Sequence, residues 1–404
     1  MYPNTYNEML LAKRLSSVTE PQTIKMAKMS RELKAKGVNV VDLSLGEPDF
    51  KTPEFICAAA TKAMSDGYTK YPPVEGFPEL LEAISTKLKR DNNLEYAANE
   101  IMVSTGAKQS LYNAVMSLVD PGDEVIIPTP FWVTYATQVQ LAGGIVRYVN
   151  CTIENDFKLT PEQLEANITV KTKLFIYSSP CNPSGSFYTR EELAALAEVF
   201  KRHPQVVIIS DEIYEYINYA GRHESIAQFT ELRNRVVVVN GMSKGFAMTG
   251  WRLGYIAAPR EIIQGCERLQ AQSTSGANSI TQRASIAALL GDLAPTYKMV
   301  EAFKQRRDYV IGALKKMPGI KVSQPEGAFY AFPDISSFFG KSYNGSVIAN
   351  DEDFSMFLLN EAHVATVCGS AFGDGNCIRI SFATSMTNLM EAMERISTAL
   401  GKIN

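Results

Sequence analysis

Residues 236–255 read VVVVNGMSKGFAMTGWRLGY. Val236–Val239 form an unbroken β-branched run, which suits a strand covered on both faces rather than one alternating between core and solvent. The string Asn240-Gly241-Met242-Ser243-Lys244 then puts an amine where such a strand emerges. Ligands of open α/β sheets bind at that edge. Arg252 adds a second cation beside small-residue turns, and together with Ser243 the set suits an anionic ligand. A lysine taken alone reads as a solvated surface residue; its neighbours set Lys244 apart.

Two upstream stretches repeat the arrangement. Leu174–Ser178 runs into Pro180-Cys181-Asn182-Pro183-Ser184-Gly185, and Val206–Ser210 runs into Asp211-Glu212-Ile213-Tyr214. Each is a short apolar run ending in a polar cluster, with intervening segments long enough for a helix, which is the parallel βαβ pattern. Right-handed crossovers carry such ends to one sheet edge. Asn182, Asp211, Tyr214 and Lys244 are therefore expected to meet.

Further out, Glu100–Ser104 reads as a strand entering Thr105-Gly106-Ala107-Lys108, after which Ala107, Leu111, Ala114, Val115 and Leu118 mark an amphipathic helix. Free N–H groups at that helix start favour a phosphate, although many such junctions bind nothing. Glu124–Pro128 is another buried strand, followed by Trp132, whose ring is either core or a stacking surface. Asn39–Leu45 is a strand ending at Gly46, where backbone can approach a ligand closely or simply turn. Tyr71 sits in a proline-stiffened loop and reads locally as a partly buried aromatic. Leu253–Ala258 is expected as an antiparallel or edge strand.

Helices are expected over 21–36, 53–64, 78–90, 262–290 with a break at Ser273–Ser279, 294–317, 353–361 and 386–400. Strands at 321–322, 328–332 and 377–382 complete a second, α+β unit, and residues 1–20 read as an extended arm. The expected division is 1–45 as arm and first part of the small domain, 46–296 as the large domain and 297–404 as the rest of the small domain.

Composition narrows the function classes. The 404 residues are 46% hydrophobic and 21% charged with a net charge of −3, an ordinary globular balance. There is no basic stripe for nucleic acid, no signal-peptide core and no apolar run that would span a membrane. The six cysteines are scattered without a CxxC pair and no histidine stands at ligand spacing, so no metal is expected and a reducing, cytoplasmic setting is. The three histidines lack a nucleophile motif, which argues against triad chemistry. No GxGxxG follows an early strand, against a dinucleotide-binding oxidoreductase.

The strings NPSG (182–185), DEIY (211–214) and SKGFAMTGWR (243–252) occur in this order and spacing, and together they closely resemble class I, fold-type I pyridoxal-phosphate-dependent aminotransferases. The resemblance runs from about Asp42 to Phe382. It implies an α/β fold, with a mostly parallel seven-stranded sheet sandwiched by helices beside a smaller α+β domain. Pyridoxal phosphate needs an amine, an acid for its pyridine nitrogen, donors to its ring phenolate, a stacking ring and a phosphate cup. The family pattern assigns these to Lys244, to Asp211, to Asn182 with Tyr214, and to Trp132; Gly106, Ala107 and Lys108 with Ser243 and Arg252 form the cup. It also implies that Gly46, Trp132 and Asn182 lie beside the substrate and that Arg379 clamps the substrate α-carboxylate with its planar fork. Tyr71 would reach the phosphate of the neighbouring subunit, in an obligate homodimer with shared active sites. Lys244, freed by the substrate amine, would serve as base and acid in a ping-pong exchange between an amino acid and a 2-oxo acid.

The string Thr105-Gly106-Ala107-Lys108-Gln109 is most like the bacterial aspartate/prephenate subgroup, where the lysine meets the distal carboxylate of a dicarboxylic substrate. This implies transfer from L-aspartate to 2-oxoglutarate. The subgroup's Lys-Pro-Ser-x-Thr string is replaced here by Thr19-Glu20-Pro21-Gln22-Thr23. An aromatic or prephenate-type aminotransferase therefore stays open, as does a carbon–sulfur β-lyase built on the same cofactor cage.

Overall fold

A computed structural model describes residues 12, 14, 15, 18 and 22–403. The arm expected over 1–20 falls almost wholly outside them, as do Thr19, Glu20 and Pro21. Strand β1 (Val41–Asp42) precedes the large sheet, whose strands are β2 (Ile101–Ser104), β3 (Glu124–Thr129), β4 (Ile145–Asn150), β5 (Thr172–Ser178), β6 (Val207–Asp211), β7 (Val236–Gly241) and β8 (Gly254–Ala257). Their order is β2-β8-β7-β6-β5-β3-β4. The β4–β3–β5–β6–β7 block is parallel throughout, and β8 runs antiparallel to both β2 and β7. The strand expected over 253–258 is thus antiparallel but internal.

The valine run explains the sandwich. All four side chains are fully buried, with Val236 and Val238 in one apolar cluster and Val237 and Val239 in another on the opposite face. Burying a valine stabilises the fold by roughly 1.5–3 kcal/mol. Ile56, Leu80, Leu196 and Ala288 bring helices Glu54–Ser65, Pro78–Asn92, Arg190–Arg202 and Ser279–Leu290 onto the first face. Leu111, Val139 and Ile263 bring helices Ala107–Leu118, Thr134–Leu141 and Arg260–Ala271 onto the second.

Several local expectations need correction. Between β6 and β7 only 3-10 turns occur, at Ile226–Gln228 and Thr230–Arg235, in place of a crossover helix. Glu212, Glu215 and Ser225 in that connection are each held by buried polar partners, and these fix the chain residue by residue. The strand expected over 39–45 shrinks to β1, because the Asp42 carboxylate accepts from the Ser44 N–H and hydroxyl and turns the chain off the ladder. Lys321 makes only an isolated bridge to Asp334. The helix expected over 353–361 is α-helical at Asp351–Phe357 and continues as a π turn through Leu358–Ala362.

The remaining strands are β9 (Tyr330–Ala331), the hairpin β10 (Ser342–Tyr343) and β11 (Ser346–Val347), β12 (Val364–Ala365), β13 (Val367–Cys368) and β14 (Ile378–Ser381). Order β13-β14-β9 makes a three-stranded antiparallel sheet, while β1 pairs in parallel with β12. A separate core joins Phe303, Val310, Phe329, Phe354, Ile380, Leu389 and Ile396 with Val41 and Leu43. We propose the division into 46–296 and 297–404 with 1–45, supported by that separate core. Hydrogen exchange showing one opening unit across both parts would count against it. Tyr214 and Ile217, which follow β6, pack into the second core and put the end of β6 on the seam.

Candidate active site

Strands β5, β6 and β7 open at their C-terminal ends into a cavity of about 370 Å³. Its wall includes Gly46, Ala107, Lys108, Trp132, Asn182, Asp211, Tyr214, Ser243, Lys244, Arg252 and Arg379. Of the sequence-predicted residues, Gly106 lies just behind the wall and Tyr71 lies outside it, 94% exposed. That exposure overturns the local reading of Tyr71 as a partly buried loop aromatic: nothing among the described residues packs over the ring. Tyr135, Tyr330, Glu47 and Thr249 also line the cavity and were not singled out from sequence.

Glycines bring the helix start into place. A Cβ on Gly254 would stand 2.1 Å from the Ala107 nitrogen, so only glycine lets β8 run directly beneath the first turn of helix Ala107–Leu118. Gly106 has φ 82°, and a Cβ there would lie 2.6 Å from an Arg252 terminal nitrogen. Arg252 itself sits in the left-handed region at φ 56° and donates to the Thr249 carbonyl at 2.9 Å. Strained backbone of this kind costs of order 1–3 kcal/mol and is retained where the surroundings fix it. The result is a guanidinium beside free helix N–H groups, an arrangement that favours a phosphate-like anion.

Asp211 ends β6 and is buried. Burial pushes its carboxyl up to about 6, although the Tyr135 hydroxyl donates to it at 2.6 Å and the Ile213 N–H at 3.2 Å. A buried carboxylate held this way is poised for a cationic ring partner. Lys244 donates to the Gly46 carbonyl. Burial, then the charges of Arg379 and Arg252, bring it down to about 8 against the pull of Glu47 and Asp211. Lys108 is exposed, with its ammonium 4.9 Å from the Trp132 ring centroid. Desolvation and the Arg252 charge hold it below the usual lysine range.

Arg379 is only 2% exposed. It donates to Asn182 Oδ1 at 3.0 Å and to the Ser44 carbonyl at 2.6 Å, both neutral acceptors, and its Nε has no partner among the described residues. Because the Asn182 oxygen faces Arg379, its NH₂ is the donor left for the cavity. Burial lowers the Arg379 pKa. The Tyr214 and Tyr330 hydroxyls lie 2.9 Å apart.

The fold also brings His223 beside Glu212 and Glu215, all buried, a grouping that spacing along the sequence does not signal. Three of the four carboxylate oxygens are engaged, whereas Glu212 Oε2 and both His223 ring nitrogens have no hydrogen-bond partner among the described residues. Ser210 and Ser225 donate to Glu212 Oε1, Asn92 donates to one Glu215 oxygen and the Lys87 ammonium pairs with the other. His223 Nε2 meets Glu212 Oε2 at 3.0 Å. The cluster reads as a structural ion-pair network under the site.

Residues 38–396 match the family model described as aminotransferase class I and II. The aspartate/prephenate aminotransferase of Cereibacter sphaeroides is 48% identical over 389 residues, covering 96% of this chain and 97% of that protein. The crystal structure of the aspartate aminotransferase from Rhizobium meliloti superposes with a TM-score of 0.95 at 44% identity, covering 98% of this chain and 99% of that one. The Thermus thermophilus aspartate aminotransferase with maleate superposes at 0.91 with 38% identity, covering 96% and 99%. Among the described residues no helix is long and apolar enough to cross a membrane. With a matching family model across nearly the whole sequence and full-length relatives at this identity, the chain belongs to the class I and II aminotransferases.

Proposed function

We propose that the protein is a cytoplasmic, pyridoxal-phosphate-dependent aspartate aminotransferase that passes the amino group of L-aspartate to 2-oxoglutarate. The observation that carries this reading is Arg379, a buried guanidinium at the cavity that has, among the described residues, neutral acceptors only and an unpartnered Nε. A buried charge is stable when paired, and an α-carboxylate supplies the pair.

The donor set fits the cofactor. The Ala107 and Lys108 N–H groups, Ser243 and Arg252 would hold its phosphate over Gly106, Asp211 its ring nitrogen, Asn182 and Tyr214 its ring oxygen, and Trp132 one face. When bound, pyridoxal phosphate supplies an electron sink that stabilises negative charge at the substrate α-carbon. The chain supplies the rest. Arg379 orients the substrate by its carboxylate, Asn182 ties that arginine to the ring-oxygen side, and Lys244 moves the α-proton as base and then acid. Its lowered pKa makes a neutral amine available for this.

Tyr71 is 94% exposed and does not line its own chain's cavity, which supports its role in a neighbouring subunit of a homodimer. A monomer that retains cofactor in sedimentation would overturn that role.

Lys108 supports the dicarboxylate preference, and a relative captured with maleate, itself a dicarboxylate, is consistent with it. Lys108 lines the cavity and is partly desolvated there, where a charge-assisted hydrogen bond from it contributes about 1.5–3 kcal/mol. Lys108→Ala is expected to lower kcat/KM for aspartate by about 10- to 100-fold and to leave phenylalanine within a few-fold; equal losses would refute the role. The proposed function is tested by mixing the yellow holoprotein with single amino acids and following conversion of the cofactor to its amine form. Aspartate should convert it fastest, with prephenate-type and aromatic partners compared in the same screen. No conversion by aspartate, with pyruvate and ammonia released from cystathionine, would restore the β-lyase alternative, which the matched relatives do not favour. Borohydride reduction and peptide mapping should then place the cofactor on Lys244 and on no other lysine.

A further inference from the structure

Tyr330 has no role in the reading above, yet it is fully buried at the cavity wall. It comes from β9, in the second core, and reaches across the seam. Its hydroxyl lies 2.9 Å from the Tyr214 hydroxyl, and a Cβ on Gly46 would also stand 2.9 Å from it. Its ring faces Arg379, whose guanidinium carbon is 4.5 Å from the ring centroid. One side chain thus touches the ring-oxygen donor, the carboxylate clamp and the backbone segment that accepts from Lys244.

The hydrogen inventory gives this contact a direction. Each phenol has one proton to donate and an oxygen that accepts. Burial keeps both neutral, with Tyr214 held well above the usual range and Tyr330 raised as well. Between two neutral phenols, only one proton can lie on the shared bond. When Tyr214 spends its proton on an acceptor in the cavity, its oxygen is left to accept, and Tyr330 is the donor within 2.9 Å. The positive charge of Arg379 over the Tyr330 ring favours that polarity, because it makes the Tyr330 O–H the more acidic of the two.

We propose that Tyr330 is a positioning residue for the aminotransferase reaction: it donates to the Tyr214 oxygen and thereby turns the Tyr214 proton toward the cofactor's ring oxygen. This rests on the reading of Tyr214 as the ring-oxygen donor. A donor that is itself receiving a hydrogen bond is strengthened by about a tenth to a third, so Tyr330 acts on the bound chromophore only through Tyr214.

The test is a double-mutant cycle read by absorbance. The pH midpoint of the bound cofactor's spectral transition is measured in wild type, Tyr214→Phe, Tyr330→Phe and the double variant, each loaded with cofactor and checked by thermal melt. Losing the Tyr214 donor destabilises the deprotonated chromophore, so its midpoint should rise by about one pH unit or more. Tyr330→Phe keeps the ring against Arg379 and should raise it by about 0.3 unit. The double variant should match Tyr214→Phe. An unmoved midpoint in Tyr330→Phe, or an equal rise when Tyr214 is already phenylalanine, overturns the proposal while leaving the Tyr214 assignment standing. An unmoved midpoint in Tyr214→Phe removes that assignment and this one together. Tyr330→Leu also deletes the ring under Arg379 and should raise KM for aspartate, an effect that Tyr330→Phe should not show.

Discussion

Replacing Lys244 with alanine should lower turnover by about 10⁴-fold or more, since on the proposed reading the residue would serve both as the covalent anchor and as the proton carrier. The structure gives a reason beyond presence of an amine. With its pKa near 8, roughly a tenth of the side chain is neutral at pH 7, several hundred times the fraction of an unshifted lysine. Lys244→Arg keeps a charge but cannot lose it, and should be as inactive as the alanine variant. Turnover within tenfold of wild type in either would overturn the role.

The same burial predicts a stability signature in cofactor-free protein. The unfolded lysine titrates near 10.5 and the folded one near 8, so between those values the unfolded chain binds more protons and folded stability rises with pH. Below about pH 8 the desolvated ammonium costs the fold about 3 kcal/mol. Cofactor-free Lys244→Met should therefore melt above cofactor-free wild type at neutral pH, with the gap closing as pH climbs toward the unfolded value. A gap that persists unchanged at high pH would mean that charge burial is not its origin.

The parts of this site that sequence made legible are those carried at strand ends. A run such as Val236–Val239 can be read because both its faces are buried, and once β5, β6 and β7 are seen as parallel neighbours the positions of Asn182, Asp211 and Lys244 follow from chain direction. Strand β4 gave no such signal: it is a sheet edge whose Ile145 and Tyr148 are 48% and 51% exposed. Tyr135 and Tyr330 were illegible for another reason. One lies on a helix and the other on a two-residue strand of a different core, and only tertiary packing decides that their hydroxyls meet Asp211 and Tyr214. His223 and Glu212 likewise become neighbours through a loop with no regular period. Arg379 stood between these cases, since a charge inside the apolar string Ile378-Arg379-Ile380 announces that it needs a partner but does not say which.

Arg379→Ala should lower kcat/KM for aspartate by about 30- to 5,000-fold, the equivalent of losing roughly 2–5 kcal/mol from a buried charge pair. Arg379→Lys should recover little, because an ammonium offers one point of charge where a carboxylate needs a fork. Loss of activity alone would not distinguish substrate binding from support of the wall, since Arg379 also holds Asn182 and the Ser44 carbonyl. An amine lacking the α-carboxylate separates the two. If Arg379 serves the carboxylate, conversion by that amine is as slow in Arg379→Ala as in wild type, and cofactor loading is unchanged. If it serves the wall, both substrates lose together. The charge itself gives an independent check. Among the described residues Arg379 has no ion-pair partner, so the substrate-free fold bears a desolvated cation. Arg379→Met, close in length and uncharged, should leave substrate-free stability unchanged or raise it, while a dicarboxylate such as maleate should raise the melting temperature of wild type and not that of the variant. On the proposed reading, the cation that weakens the empty fold would be the one that draws a carboxylate into it.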